Sequence, residues 1–582
     1  MRYRRAVTVL ACTTLLSMPL ATSALAGPGR GAPGSIDGPW DRSTSPPRIL
    51  REGTPQQAGL VAEHLAAVEP ALRSGLEPQP TPVYPGAVAL VVGDGVIAER
   101  SAVGHALRWN DPDTQLPEDE WVEVRDDTIF DLASLSKLFT AVAIMQLVED
   151  GALALDDRVA DHIPAFGANG KQDVTVGQLL THTSGLAAWL PLYSAYPDRD
   201  SRIAAVHGAA PTAEPGSRYL YSDLGLIALG ELVGAVSGQP LDRHVAERIT
   251  GPLGMDDTGY NPDPSLRERI AATEYQPWAG RGLVHGEVHD ENAWSLGGVA
   301  GHAGVFATAD DLAVFAQMLL NGGRYGTVRI LDHATVEEMM TERVAELGTT
   351  ARRGLGPEMA ARFYHDAMTS PHSAGHTGFT GTSLVIDPHT DTIAILLTNR
   401  VHPSRDWAPV NPVRRAIARA TARAVPVRPL AQGEAWFSEL STGSDRTLTV
   451  PVEAPAGAVL EVDLWFDTAP GDHLVFESSS DGGETWQPLA GELTASGAHP
   501  RSTDGQVSGW GEHRWWSATF PLQDHAGERH LRARYVSEAL ASGRGVYLDG
   551  VRVVGPDGPV LDDRRPEHRQ RFTSDGWTRT QD

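Results

Sequence analysis

The chain has 582 residues, enough for two or more domains, and its 41% apolar and 21% charged content is that of a soluble globular protein. A formal charge of −26 argues against nucleic acid and anionic membrane surfaces as partners. The single cysteine, Cys12, lies in an N-terminal stretch that reads as a removed signal. The mature chain would then hold no disulfide, no cysteine nucleophile and no thiolate metal site.

In chain order, Arg2, Arg4 and Arg5 precede an apolar run from Ala6 to Leu20, and Ala24-Leu25-Ala26 stands before Gly27. This is the pattern of a secretory signal peptide over residues 1–26, of the Sec type, with Tat as the alternative offered by the twin Arg4-Arg5. It predicts a secreted, extracellular protein. No later stretch is apolar enough to predict a transmembrane segment. Residues 27–56, rich in Gly, Pro and Ser, read as a linker. Helical periodicity runs from Gln57 to Ser74. Ala87 to Val92, then Gly93-Asp94-Gly95, then Val96-Ile97-Ala98 predict a β-hairpin.

Next comes Ser134-Leu135-Ser136-Lys137, with Ser134 placed to cap or open a helix, an apolar run from Leu138 to Val148, and Gly151 as the stop. Positions three apart share a helix face, so the Ser134 hydroxyl and the Lys137 amine can converge. A serine beside a desolvated amine is one route to a nucleophile near neutral pH. Chance produces Ser-x-x-Lys often, but the composition gives this one weight. Of the 48 lysine and arginine residues two are lysine, Lys137 and Lys171, and the rest are arginine. Arginine keeps its proton in proteins, whereas a buried lysine can lose it. Lys137 therefore suggests a need for an amine that deprotonates. Lys171, in the polar turn Asn169-Gly170-Lys171-Gln172, reads as solvated surface. Ser136 faces either the cleft or its own helix.

Helices are predicted at Thr175–Leu180, Leu224–Ser237, Leu241–Ile249 and Asp310–Leu320. A second hairpin joins Ser383–Asp387 to Thr392–Leu397, and a closing helix, Pro412–Ala424, carries Arg414, Arg415, Arg419 and Arg423 on its wet side. Strands at both ends of residues 57–425 and helices between them predict an α+β fold, with an antiparallel sheet assembled from the two ends and flanked by helices. From about Ala431 short alternating strands predict an all-β sandwich over 431–556. Residues 564–582 are polar and read as a disordered tail.

Two more stretches join the serine: Arg218-Tyr219-Leu220-Tyr221-Ser222-Asp223-Leu224-Gly225 and Gly375-His376-Thr377-Gly378-Phe379-Thr380-Gly381. Three such elements in this order resemble the serine β-lactamase and penicillin-binding superfamily, in the branch of class C β-lactamases, D-Ala-D-Ala carboxypeptidases and esterases. Leu179 to Leu186 and Gly301-His302-Ala303-Gly304-Val305-Phe306 also look like this branch. The resemblance covers about residues 55–425.

It implies Ser134 as the acylated nucleophile, Lys137 as its proton partner and Tyr221 as the second acid/base. It implies that His376 shuttles a proton or binds a substrate carboxylate, and that the N–H groups of Ser134 and Phe379, beside Thr377 and Gly378, form the oxyanion hole. Asp223 stands where the branch more often has Asn. That carboxylate should raise the Lys137 pKa and move weight as general base onto Tyr221. His376 in place of the commoner lysine counts against an efficient β-lactamase. His182 and His302 read as hydrogen-bonding loop residues.

The cluster His285-Gly286-Glu287-Val288-His289-Asp290-Glu291-Asn292 has metal-binding residue types but no metal-ligand spacing, and His289 to Asn292 read as cleft lining. No cofactor and no metal is expected. Ser478 to Trp486 and Gly545 to Val551 resemble the β-sandwich appended to secreted metallopeptidases of the immune inhibitor A type. Trp465, Trp486, Trp510, Trp515 and Trp516 read chiefly as its core, with cell-wall or carbohydrate contact as the alternative.

The N-terminal pattern predicts secretion, and the resemblance implies a serine hydrolase acting through an acyl-enzyme on cell-wall-derived amides or peptidoglycan fragments, or on small esters. A class C-like β-lactamase and a low-turnover penicillin-binding or surface-binding protein are the alternatives.

Overall fold

The computed structural model describes residues 47–77, 80–431, 433–440, 442–522, 526–538 and 541–582. The predicted signal peptide and residues 27–46 of the predicted linker lie outside them. Among the described residues no single helix is long and apolar enough to cross a membrane.

The first layer is a sheet of eight strands among the described residues. Its main path takes β1 (Arg51–Glu52), β2 (Gly86–Gly93), β3 (Val96–Leu107), β4 (Glu358–Met359), β5 (Ala374–Thr377), β6 (Ser383–Asp387) and β7 (Thr392–Thr398). Their spatial order is β1-β3-β2-β7-β6-β5-β4. Pairing is antiparallel from β3 to β4, and β1 lies parallel to β3, Arg51 opposite Val96. The β2–β3 turn holds Asp94 and Gly95 at φ 50 and 75, the twist a two-residue hairpin needs. The linker therefore ends earlier than expected: residues 51–52 already pair with the sheet, because Arg51 N–H and Gly53 N–H find the carbonyls of Gly95 and Ile97.

β2 is buried throughout, and its side chains divide with period two. Val88, Leu90 and Val92 join one core with Leu384, Ile393 and Ile395, while Ala87, Ala89 and Val91 join another with Val385 and Leu396. Helices α1 (Ser136–Glu149), α2 (Asp223–Ser237) and α3 (Ala309–Leu320) contribute to the first core, and α4 (Asn411–Ala424) to the second. Helix α1 is buried all round from Ser136 to Leu147, so its apolar residues follow no stripe.

Two expectations about cations fail here. Arg414 is buried rather than on the wet side of α4, because the turn after β5 covers it. Lys171 is buried too. Its Nζ donates to Ala168 O (2.8 Å) and Ala209 O (2.6 Å) and lies 5.2 Å from the Phe166 ring centre, so local polarity misjudged it. Burial lowers its pKa.

Two further sheets form the C-terminal part. One runs through β12 (Trp516–Pro521), β10 (Val459–Asp467), β14 (Gly545–Gly555), β8 (Ala435–Phe437) and β16 (Thr578–Thr580). The other runs through β11 (His473–Ser479), β13 (Gly527–Val536), β9 (Asp445–Ala454) and β15 (Thr573–Asp575). The tail is thus not disordered: β15 pairs with β9 and β16 with β8, so the β part runs past residue 556 to Thr580. Trp577 is buried in the core with Leu448 and Trp516, and Phe572 packs on it. Two aromatics among polar residues are enough to anchor the segment. Trp465 and Trp516 are buried, while Trp486, Trp510 and Trp515 are half-buried. Where the two parts meet, Val427 packs with Phe437, Trp465 and Tyr547, and Arg544 donates to Val425 O.

Candidate active site

The turn before α1 is held from several directions. Asp131 is buried, and its carboxylate accepts from Ala133 N–H (2.8 Å) and His289 N–H (2.6 Å). Burial raises its pKa against those two donors. Leu132 N–H donates to Val305 O, and the hydroxyls of Thr380 and Thr382 donate to the carbonyls of Asp131 (2.7 Å) and Leu132 (3.0 Å). Within this frame Ala133 takes φ 47, a costly conformation for a residue with a Cβ, directly before Ser134. The expected capping role of Ser134 is absent. A 3₁₀ turn, Ala133–Leu135, leads into α1, and no side chain caps the helix. Ser136 Oγ accepts from the buried Val305 N–H, which assigns it to the helix rather than the cleft.

The Ser134 hydroxyl is instead engaged by Lys137, whose Nζ lies 2.8 Å from Ser134 Oγ and 3.0 Å from His302 O. Asp223, the first residue of α2, makes an ion-pair contact with the same Nζ at 2.9 Å. Burial works to lower the Lys137 pKa, but Asp223 and Tyr221 outweigh it and hold the amine above its ordinary value. Tyr221 precedes the Ser222 cap of α2 and interacts with both Lys137 and Ser134. Burial raises its phenol pKa, and Lys137 only partly offsets this. The resting site therefore carries a charged amine and a neutral phenol. Those surroundings work against Tyr221 as the main general base.

His182 stacks at 4.5 Å on the Tyr221 ring, and its Nδ1 accepts from Ser222 N–H. His302 bonds Asp290 Oδ1 at 2.9 Å. On β5, His376 Nδ1 faces Thr377 O at 2.8 Å; a carbonyl can only accept, so the proton is on Nδ1. Nε2 is left as a buried acceptor with no partner. Burial, then Arg353 and Lys137, push the His376 pKa well below its ordinary value. A neutral imidazole cannot supply the positive charge that a lysine would bring to a substrate carboxylate.

Thr377 ends β5, and the turn after it carries Gly378 and Phe379. Phe379 is 53% exposed at the cleft mouth, and its outer ring stacks on His289 at 5.6 Å. His289 in turn bonds Glu274, which Arg405 clamps. The His285–Asn292 stretch disperses accordingly: His285 bonds Ile270 O, Asp290 faces His302, and Asn292 bonds Leu190 O and Tyr193 N–H.

Ser134, Tyr221, His376, Thr377, Gly378 and Phe379 line one cleft of about 500 Å³, with Asn411 and Arg414 on its wall. Lys137 and Asp223 are not in its lining; Lys137 touches it through Ser134 and Asp223 through Lys137, so the eight residues expected from the sequence form one connected group. A larger cavity, about 860 Å³, is lined by Ile227, Gly230 and Gly234 of α2 and contains none of them.

Sequence reasoning missed Arg353. It is fully buried, donates to Tyr219 Oη (2.9 Å) and Gly356 O, pairs with Glu358, and lies 5.5 Å from the Tyr221 ring centre. In a chain this rich in arginine, nothing marks one of them.

A serine on the turn that enters a buried helix, a tyrosine just before the cap of a second helix and a strand-edge turn across one cleft fit a serine hydrolase of the β-lactamase and penicillin-binding superfamily. The chain belongs to the Beta-lactamase family, whose model matches residues 71–419. A protein of Escherichia coli (strain K12) named "Putative D-alanyl-D-alanine carboxypeptidase" is 34% identical over 385 residues, spanning 61% of this chain and 86% of its own length. A protein of the same name from Salmonella typhi is 31% identical over 401 residues, covering 62% and 89%. Among solved structures, a penicillin-binding protein homolog from Caulobacter crescentus aligns with a TM-score of 0.48 and 23% identity, covering 62% of this chain and 98% of that one.

Proposed function

We propose that the protein is an exported acyl-transfer hydrolase that forms an acyl-enzyme on Ser134, with D-alanyl amides of cell-wall fragments as its substrate class and small esters as accessible substrates. The observation that carries this reading is the 2.8 Å contact of Lys137 Nζ with Ser134 Oγ. The name borne by the curated relatives supports the substrate class, and the basic-then-apolar N-terminus supports export.

In the proposed reaction Lys137, once unprotonated, takes the proton of Ser134 as Oγ attacks the substrate carbonyl carbon. The tetrahedral oxyanion is received by the N–H groups of Ser134 and Phe379. Tyr221 gives its proton to the leaving nitrogen or oxygen and regains one from Lys137. The carbon–heteroatom bond breaks, leaving the acyl ester on Ser134, and water repeats the sequence to release the acid. His376, neutral and with Nε2 buried, carries no charge to pair with a substrate carboxylate.

The test is labelling with a fluorophosphonate or a fluorescent penicillin, followed by mass spectrometry, with turnover of a D-Ala-D-Ala peptide, a p-nitrophenyl ester and nitrocefin measured alongside. Label on Ser134 and loss of turnover in Ser134→Ala are expected. Label elsewhere overturns the assignment, and rapid turnover confined to nitrocefin makes the protein a β-lactamase.

A further inference from the structure

Arg414 stands one turn into α4 and is 7% exposed. One of its guanidinium nitrogens, Nη2, donates to Gly378 O at 2.8 Å and to Thr382 O at 2.7 Å, while Nη1 donates to Asn411 Oδ1 at 2.9 Å. Gly378 N–H also donates to Thr382 O, so the turn is closed on itself around that guanidinium. On its other side a Cβ at Gly378 would overlap Thr382 Oγ1 and Leu132 O, which fixes the approach to the nucleophile turn. The peptide joining Gly378 to Phe379 is planar and trans, so its C=O and N–H point in opposite directions. A cation that grips the carbonyl therefore aims the Phe379 N–H away from α4.

We propose that Arg414 is a positioning residue for the oxyanion hole: by holding Gly378 O and Thr382 O it orients the Phe379 N–H toward the carbonyl oxygen of a substrate attacked by Ser134. This rests on the acyl-enzyme reading of Ser134 and adds what makes the second donor rigid. Thr380 and Thr382, bonded to the carbonyls of Asp131 and Leu132, lock the same turn to the backbone that carries Ser134. The two donors thus belong to one cross-linked frame, and Arg414 sets the angle of one of them. A donor held in place needs no reorientation as charge develops, which is the source of its value.

The test compares wild type with Arg414→Ala and with Arg414→Met, which keeps most of the stem volume. Rates are taken per active site, counted by fluorophosphonate titration. Two substrates are used, a neutral p-nitrophenyl ester and a peptide ending in a carboxylate. The expected result is a fall in kcat on the order of 10²–10³ for both substrates, the usual loss for one oxyanion donor, with KM little changed. Affinity for a boronic acid that forms a tetrahedral adduct on the serine should fall in parallel, and methylguanidinium should restore part of kcat to Arg414→Ala. A loss confined to KM of the carboxylate substrate would make Arg414 a substrate anchor and overturn the proposal, as would wild-type kcat in either variant. Failure of the underlying reading is recognised separately, as absence of label on Ser134 in the wild type.

Discussion

Replacing Asp223 by asparagine removes the carboxylate 2.9 Å from Lys137 Nζ while keeping its shape. Two unit charges at that distance attract by about 6 kcal/mol at an effective dielectric of about 20, which sets a ceiling on what the substitution withdraws from the charged amine. Burial, the largest influence on Lys137 and one that acts downward, stays in place. The sign follows. Asp223 raises the Lys137 pKa, the amine is productive only when unprotonated, and the rate must therefore rise with pH through that pKa. In Asp223→Asn the limb moves to lower pH, and the share of enzyme with a free amine at neutral pH grows. The assay is kcat/KM for a neutral p-nitrophenyl ester across about pH 5 to 10, with the acylation burst followed separately. A limb that stays in place, or moves to higher pH, would show that Lys137 is not the titrating base. The proton of Ser134 would then go to Asp223 or Tyr221.

Arg353→Leu leaves Glu358 half-buried without its cation, and stability in urea should fall by about 3–5 kcal/mol, with Arg353→Met/Glu358→Leu less damaged than the single variant. Lys171→Met orphans two carbonyls far from the cleft and should cost about 1–3 kcal/mol while kcat/KM stays at the wild-type value. Glu274 is buried, yet His289 and Arg405 more than offset that burial and bring its carboxyl down to about 2. A depressed carboxylate stabilises the fold above its unfolded pKa of about 4.3, and that contribution disappears as pH falls toward about 2. Glu274→Gln should therefore flatten acid unfolding in that window, read by circular dichroism.

The parts legible in the sequence are those written in local periodicity. The β2–β3 hairpin has its Asp-Gly turn, α3 its apolar stripe, and Ser134 and Lys137 share a turn by spacing alone. What escaped is non-local. Lys171 has polar neighbours in sequence, and the carbonyl of Ala209 that receives it is contributed by a distant loop. Arg414 repeats the pattern of its exposed helix neighbours, and it is buried by a turn that precedes it by more than thirty residues in the chain. The tail looked too polar to pack because its ordering depends on free edges of strands formed much earlier. Arg353 has no signature, since the two tyrosines it meets, Tyr219 and Tyr221, come from a segment more than a hundred residues earlier.

The pairing of β2 with β7, Val92 beside Ile393 and Leu90 beside Ile395, carries a consequence for biosynthesis. Three hundred residues of chain separate the partners, which at about 5–20 residues per second is about 15–60 s of translation. Until β7 emerges, the N-terminal hairpin has no neighbour on that edge, and Ser134 has no opposing turn to complete its cleft. Such long-range closure is slow even in the finished chain. The cleft is thus incomplete, and the enzyme catalytically silent, until the turn after β5 and the strand β7 have been made.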